Sequence, residues 1–239
     1  MKISISTKET GAISTPQYSC EFCGRKFIKE TTIFKHICEY KHRWLEKDRP
    51  SNRLGFQAWL QFYTKNTVSK KQRTYEDFIK SAYYTAFVKF GGHCVEINAL
   101  NVSRFTDWLI KNQIKIDAWS SDNAYTKYLI EYLRNEDPLD AIHRSVETTI
   151  TMAAPEGLQS KDYLRYGNKN KICYAVTTGK LSPWILFHSK SGVEFIDKLD
   201  STQVKMILEY IDPEKWALKF HREPENVRQV KDLLGLAGY

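Results

Sequence analysis

Apolar residues recur along most of this chain at intervals of three and four, and the elements they predict are helices. Tyr75, Phe78, Ile79, Ala82, Tyr83, Ala86 and Phe90 form one broad stripe, which predicts a helix stopped by Gly91 and Gly92. In NVSRFTDWLIKNQ, Phe105, Trp108, Leu109 and Asn112 fall on successive turns behind a cap at Ser103 or Asn101. SDNAYTKYLIEYLR does the same with Tyr125, Tyr128, Leu129, Tyr132 and Leu133 behind Asp122. Pro138 suits the first turn of a further helix that Pro155 and Gly157 break. Later, STQVKMILEYI puts Val204, Ile207, Leu208 and Ile211 on a buried side, and a helix opening at Pro224 buries Val227, Val230 and Leu234. There is no internal repeat and little two-residue alternation. The predicted fold is mainly all-α: a small ββα zinc finger followed by an α-helical body.

The finger is the segment CEFCGRKFIKETTIFKHICEYKH, from Cys20 to His42, which reads C-x2-C-x12-H-x5-H. Two thiolates on a hairpin knuckle and two imidazoles on a following helix complete a tetrahedral zinc site. Tyr18, Phe27 and Ile33 fall where such a module needs its small core. The predicted ligands of Zn(2+) are therefore Cys20, Cys23, His36 and His42. Cys38 falls on a different side of the expected helix and reads as a bystander, substitution for His42 being the lesser alternative. The alternative is that these are reduced thiols and solvated histidines.

The chain divides on this reading into a flexible stretch 1–17, the finger 18–48 and a helical domain 49–239, for which two lobes dividing near 155–160 are an option. At 239 residues and 28.0 kDa, with 42% hydrophobic residues, it is large enough to bury a core without disulfides. Five cysteines, two committed to metal and Cys38, Cys94 and Cys173 scattered, suit a reducing compartment, and no apolar run of about 18 residues occurs, so an intracellular, cytoplasmic protein without a membrane span is expected. Catalytic motifs are absent. TTGKLSP has Leu181 where a phosphate loop needs Ser or Thr and lacks the upstream glycine. His93 and Cys94, being adjacent, point different ways. No catalytic residue is assigned, and the chain is expected not to be an enzyme.

Charge adds a partner. Lys+Arg number 36 against 28 Asp+Glu, a net charge of +8; residues 1–74 hold 15 against 6, so the basic excess lies in the first third. A phosphate-seeking N-terminal region has this asymmetry. The expected nucleic-acid contacts are Lys29, Lys35 and Arg43 in the finger. Lys65, Lys70, Lys71 and Arg73 join them from the aromatic-flanked WLQFYTKNTVSKKQRTY, and Lys169 and Lys171 from KDYLRYGNKNKICY. Phe34 and Trp44 suggest that part of the finger helix packs on protein.

From about Leu54 onward, the order and spacing of aromatic and apolar residues in FTDWLIKNQIKIDAW, SDNAYTKYLIEYLR and NKICYAVTTGKLSPWILFHSKSGVEFIDKLD resemble the replicative-helicase loader (helicase assembly protein) of T-even-type bacteriophages. That resemblance implies an all-α, two-lobed, non-enzymatic protein. Such a protein binds forked or single-stranded DNA and recruits the hexameric helicase onto strands coated with single-strand-binding protein. The N-terminal finger is a departure from the family's pattern. The expected function is a zinc-containing DNA-binding replication accessory protein; the alternatives are a transcription regulator reading duplex DNA and a structural or assembly adaptor with a zinc-stapled module.

Overall fold

The structure, a computed structural model, describes residues 18–67 and 72–239, so the lead-in 1–17 and the predicted contacts Lys70 and Lys71 lie outside the described residues. The chain is mainly helical, with a small strand pair ahead of the helical body. It forms two compact units, one of residues up to 96 with 110–120, the other of 97–109 with 121–239. Residues 155–160, expected to divide two lobes, lie inside the second unit. Among the described residues no helix is long and apolar enough to cross a membrane.

The first unit opens with β1 (Tyr18–Ser19) and β2 (Lys26–Phe27), paired antiparallel with Tyr18 opposite Phe27, then α1 (Glu30–Lys35) and α2 (Glu39–Leu45). Three further helices follow: α3 (Pro50–Asn66), α4 (Tyr75–Ile79) and α5 (Tyr84–Glu96), with a 3-10 turn at Ile116–Ala118. The single helix predicted over Tyr75–Phe90 is instead two. Thr74 and Asp77 cap α4 reciprocally, the chain turns through Lys80–Tyr83, and α5 then runs on through Gly91 and Gly92 rather than stopping there. The glycines serve packing. A Cβ on Gly91 would lie 2.0 Å from the Ser51 carbonyl oxygen, and one on Gly55 2.6 Å from that of Phe87, so α3 and α5 cross backbone to backbone. Around this crossing Trp59, Phe78, Phe87, Phe90 and Trp119 are fully buried. The Trp119 indole N–H is satisfied by the Ile114 carbonyl at 2.9 Å.

The second unit begins with α6 (Val102–Lys111) up to Leu109 and continues with α7 (Asp122–Asn135), α8 (Pro138–Ala153), α9 (Ser160–Tyr166) and α10 (Lys169–Thr177). It ends with α11 (Pro183–His188), α12 (Lys190–Asp197), α13 (Ser201–Ile211), α14 (Pro213–Arg222) and α15 (Pro224–Leu236). Asp137 caps α8, whose first residue is Pro138, and Gly157, at φ +67°, follows the turn that closes it, as predicted. Helix α7 starts at Asp122 with Ser121 as its cap. Helix α8 is central, packed by α9, α11 and α15, while α10 packs on α13. On α13, Ile207 and Ile211 are buried, but Val204 and Leu208, expected beside them, are partly exposed.

Candidate metal centre

The hairpin turn brings the two knuckle cysteines together. Gly24 N–H donates to the Cys20 carbonyl at 2.8 Å and Cys20 N–H to that of Arg25 at 2.9 Å, with Gly24 at φ +70°, where glycine alone is unstrained. Helix α1 follows, fixed by buried Ile33, and ends at His36, whose backbone is extended (φ −71°, ψ 120°). Two residues later Cys38 is extended again and caps α2, its Sγ accepting from Lys41 N–H at 3.4 Å.

This reversal sets the ligands. Cys20, Cys23, His36 and Cys38 form a cluster in which the four ligand atoms lie within 4.8 Å of one another. Cys20 Sγ and Cys38 Sγ are 3.9 Å apart, and Cys23 Sγ and His36 Nε2 3.3 Å apart. A tetrahedral zinc ion with Zn–S near 2.3 Å and Zn–N near 2.05 Å requires edges of about 3.8 Å and about 3.6 Å, so the donor set fits the ion in type, number and size. His42, the predicted fourth ligand, is not in the cluster; it is exposed on α2, and Cys38 takes its place. The physical reason is the break at residues 36–38. On a continuous helix His42 would sit about 240° around the axis from His36 at 100° per residue, whereas the extended backbone at His36 and Cys38 breaks the helix and brings Cys38 into the cluster. The observed pattern is C-x2-C-x12-H-x-C.

The thiols are unequal. Burial opposes ionisation of Cys20, but N–H groups of Cys23 and Phe22 outweigh it and lower the thiol below its ordinary value. Burial and the neighbouring Cys23 and Cys20 thiols push Cys38 up, against the Lys41 N–H. Three thiolates so close repel one another, and a divalent cation is what would relieve them. Cys94 differs: burial alone pushes it up to about 12, which leaves it a packed, unreactive thiol on α5.

The metal module is docked onto the helices of its own unit. Trp44 packs against Phe22 and Tyr75, with ring centroids 6.0 and 5.8 Å apart. Arg43, expected to contact phosphate, is committed elsewhere: it donates to the Ile79 carbonyl at 2.6 Å, lies 4.3 Å over the Tyr84 ring and pairs with Glu39. Tyr75 OH donates back to the Arg43 carbonyl at 3.2 Å. Replacing Arg43 with alanine should cost about 2 kcal/mol, a charge-assisted hydrogen bond and a cation–π contact together. Urea unfolding should report the loss, and zinc content should not change.

The remaining predicted contacts separate. Lys29 and Lys35 are exposed on the module, and Lys35 joins Arg25, Thr31, Thr32, Phe27 and His36 around a shallow depression of about 470 Å³. Arg25, which spacing alone did not single out, gains its place from the hairpin and lies 5.6 Å over Phe27. Lys65 is exposed near the end of α3, while Arg73 is seated on the Tyr63 ring at 4.2 Å. Lys169 donates to the Lys198 carbonyl at 2.6 Å, and Lys171 pairs with Glu156 at 2.9 Å. Phe34, expected to pack on protein, is 62% exposed, as are Ile28 (65%) and Ile37 (62%); Trp44 is the residue that docks.

Three cysteines and one histidine whose donor atoms surround one position are a donor set of the kind that structural zinc sites use. No family model, curated protein or solved structure matches the chain.

Proposed function

We propose that this chain is a zinc-stapled DNA-binding accessory protein that catalyses nothing. In this reading the module holds the DNA, and the helical body engages a replication protein. The observation that carries it is the exposed cationic rim of the module, Arg25, Lys26, Lys29 and Lys35, left free of the residues that dock it, Arg43 and Trp44. Lysine and arginine at such a rim seat phosphates whatever the base sequence. The substrate would be forked or single-stranded DNA, because α1 is only six residues long and gives little length to lay in a major groove. Resemblance to the helicase loaders supplies the partner: a replicative helicase on strands coated with single-strand-binding protein. The exposed Ile28, Phe34 and Ile37 favour an adaptor reading as the second choice, in which the module's apolar tip meets protein.

Gel-shift titrations of the zinc-loaded chain against fork, single-stranded and linear duplex DNA test the first reading. Fork or single strand should bind more tightly, and binding should weaken steeply with salt. Changing Arg25, Lys29 and Lys35 together to alanine should flatten the log–log salt slope by roughly 2 to 3 units for any sequence. A sequence-selective duplex preference, or no salt-sensitive binding, would remove the proposal.

A further inference from the structure

In the second unit, residues Arg144, Glu147, Thr148 and Thr151 stand at i, i+3, i+4 and i+7 of α8 and so share one helix face; Lys171 and Tyr174 share a face of α10. With Met152 and Lys180 they line a pocket of about 650 Å³, within the range of small-molecule sites. Its walls are largely carbon: the Tyr174 ring, 61% exposed, the Met152 chain and the threonine methyls.

The cations around it are not equivalent. Arg144 is spent inward, on buried Glu136 (2.7 Å) and the Gly179 carbonyl (2.8 Å), and Lys171 on Glu156. Lys180 has no ion-pair partner among the described residues, yet its loop is tied down by several hydrogen bonds. Beside the Arg144 bond to Gly179, the Lys180 carbonyl accepts from Thr148 Oγ1 at 3.1 Å. Leu181 N–H donates to the Ala175 carbonyl at 3.0 Å and Ser182 N–H to Ser145 Oγ at 2.9 Å. Gly179 at φ +74° permits the turn, and a Cβ there would meet Leu129 at 2.7 Å. The segment TTGKLSP, which fails as a phosphate loop, thus presents one lysine on a rigid backbone beside an open aromatic face. Glu147 at the lip is exposed and offers a carboxylate.

From this arrangement we infer that the pocket between α8 and α10 binds a nucleoside phosphate whose base carries an exocyclic amine, the base on Tyr174, its amine toward Glu147, and the phosphate on Lys180. A cation, a stacking face and a carboxylate acceptor are the complement of such a molecule, since carboxylates accept from the cytosine amine and aromatic rings stack any base. The choice of a nucleotide rests on the nucleic-acid reading above; the pocket itself supplies the three groups. The ligand is a free nucleotide or one unit of a single strand.

The test uses the full zinc-loaded chain with cytidine 5′-monophosphate, thymidine 5′-monophosphate and inorganic phosphate by calorimetry, and with a photoreactive twelve-residue deoxycytidine strand whose crosslinks are mapped by mass spectrometry. Cytidine monophosphate should bind about tenfold more tightly than thymidine monophosphate. Lys180→Ala and Tyr174→Ala should each weaken it about tenfold, and Glu147→Gln should erase the preference. A crosslink at Tyr174 assigns a strand; tight free nucleotide without it assigns a nucleotide. Nucleotide binding that survives the Arg25, Lys29 and Lys35 changes supports the pocket even if the module's DNA binding fails. Absence of nucleotide binding while DNA still binds overturns the pocket and leaves the module's role standing.

Discussion

Serine in place of Cys38 is expected to strip the module of zinc, whereas alanine in place of His42 leaves the metal bound. Structural zinc contributes about 10–16 kcal/mol in finger-sized modules, so one of four ligands is worth roughly 3 kcal/mol, or at least ~100-fold in affinity. Cys38 supplies that ligand from the start of α2, 3.9 Å from Cys20 Sγ, while His42 is exposed a turn further on. Competition against a chelator of known zinc affinity measures both variants. In Cys38→Ser the hairpin and α1 should lose their order with the metal, because Ile33 and Phe27 alone give them little core, and the α3–α5 crossing should remain helical. Equal zinc affinity in Cys38→Ser and wild type, with loss in His42→Ala, would restore the two-histidine site.

The second large effect belongs to Gly91→Ala. The added methyl would stand 2.0 Å from the Ser51 carbonyl oxygen and 2.7 Å from Gly55 N, both backbone atoms of α3, so no rotamer relieves it and the helices must separate. Separation opens the layer formed by Trp59, Phe87 and Phe90, and the expected loss is about 3 kcal/mol or more, at the upper end for overpacking. Gly92→Ala is the control, since its Cβ would meet only Ser51 Cβ, at 3.9 Å. Thermal unfolding should show a large drop for the first and almost none for the second.

The same glycines show how far the pattern of residues could be read. Period alone marks α6, α7, α13 and α15 as helical, because each buries an apolar side. It does not say whether Gly-Gly ends a helix or lets another helix approach, since that depends on a partner 36 residues away at Gly55. Val204 and Leu208 fit the period of α13 as well as Ile207 and Ile211 do, but α10 and α7, which pack on that helix, leave them exposed. At the metal centre, Cys20, Cys23 and His36 were legible because a hairpin and a short helix fix their reach. The fourth ligand was not: C-x2-C-x12-H is satisfied by either His42 or Cys38, and the choice turns on whether the chain continues as helix through Ile37. Arg43 reads as a phosphate contact from its place in the basic finger, and Arg73 from charge beside aromatics. The same neighbours, Tyr84 and Tyr63, hold them within the fold instead.

The ligand set is the claim on which the rest depends, and X-ray absorption at the zinc edge of the purified full-length chain tests it directly. Three sulfurs near 2.3 Å and one nitrogen at about 2.0–2.1 Å are predicted. A first shell of two sulfurs and two nitrogens would contradict the assignment of Cys38 and return His42 to the metal.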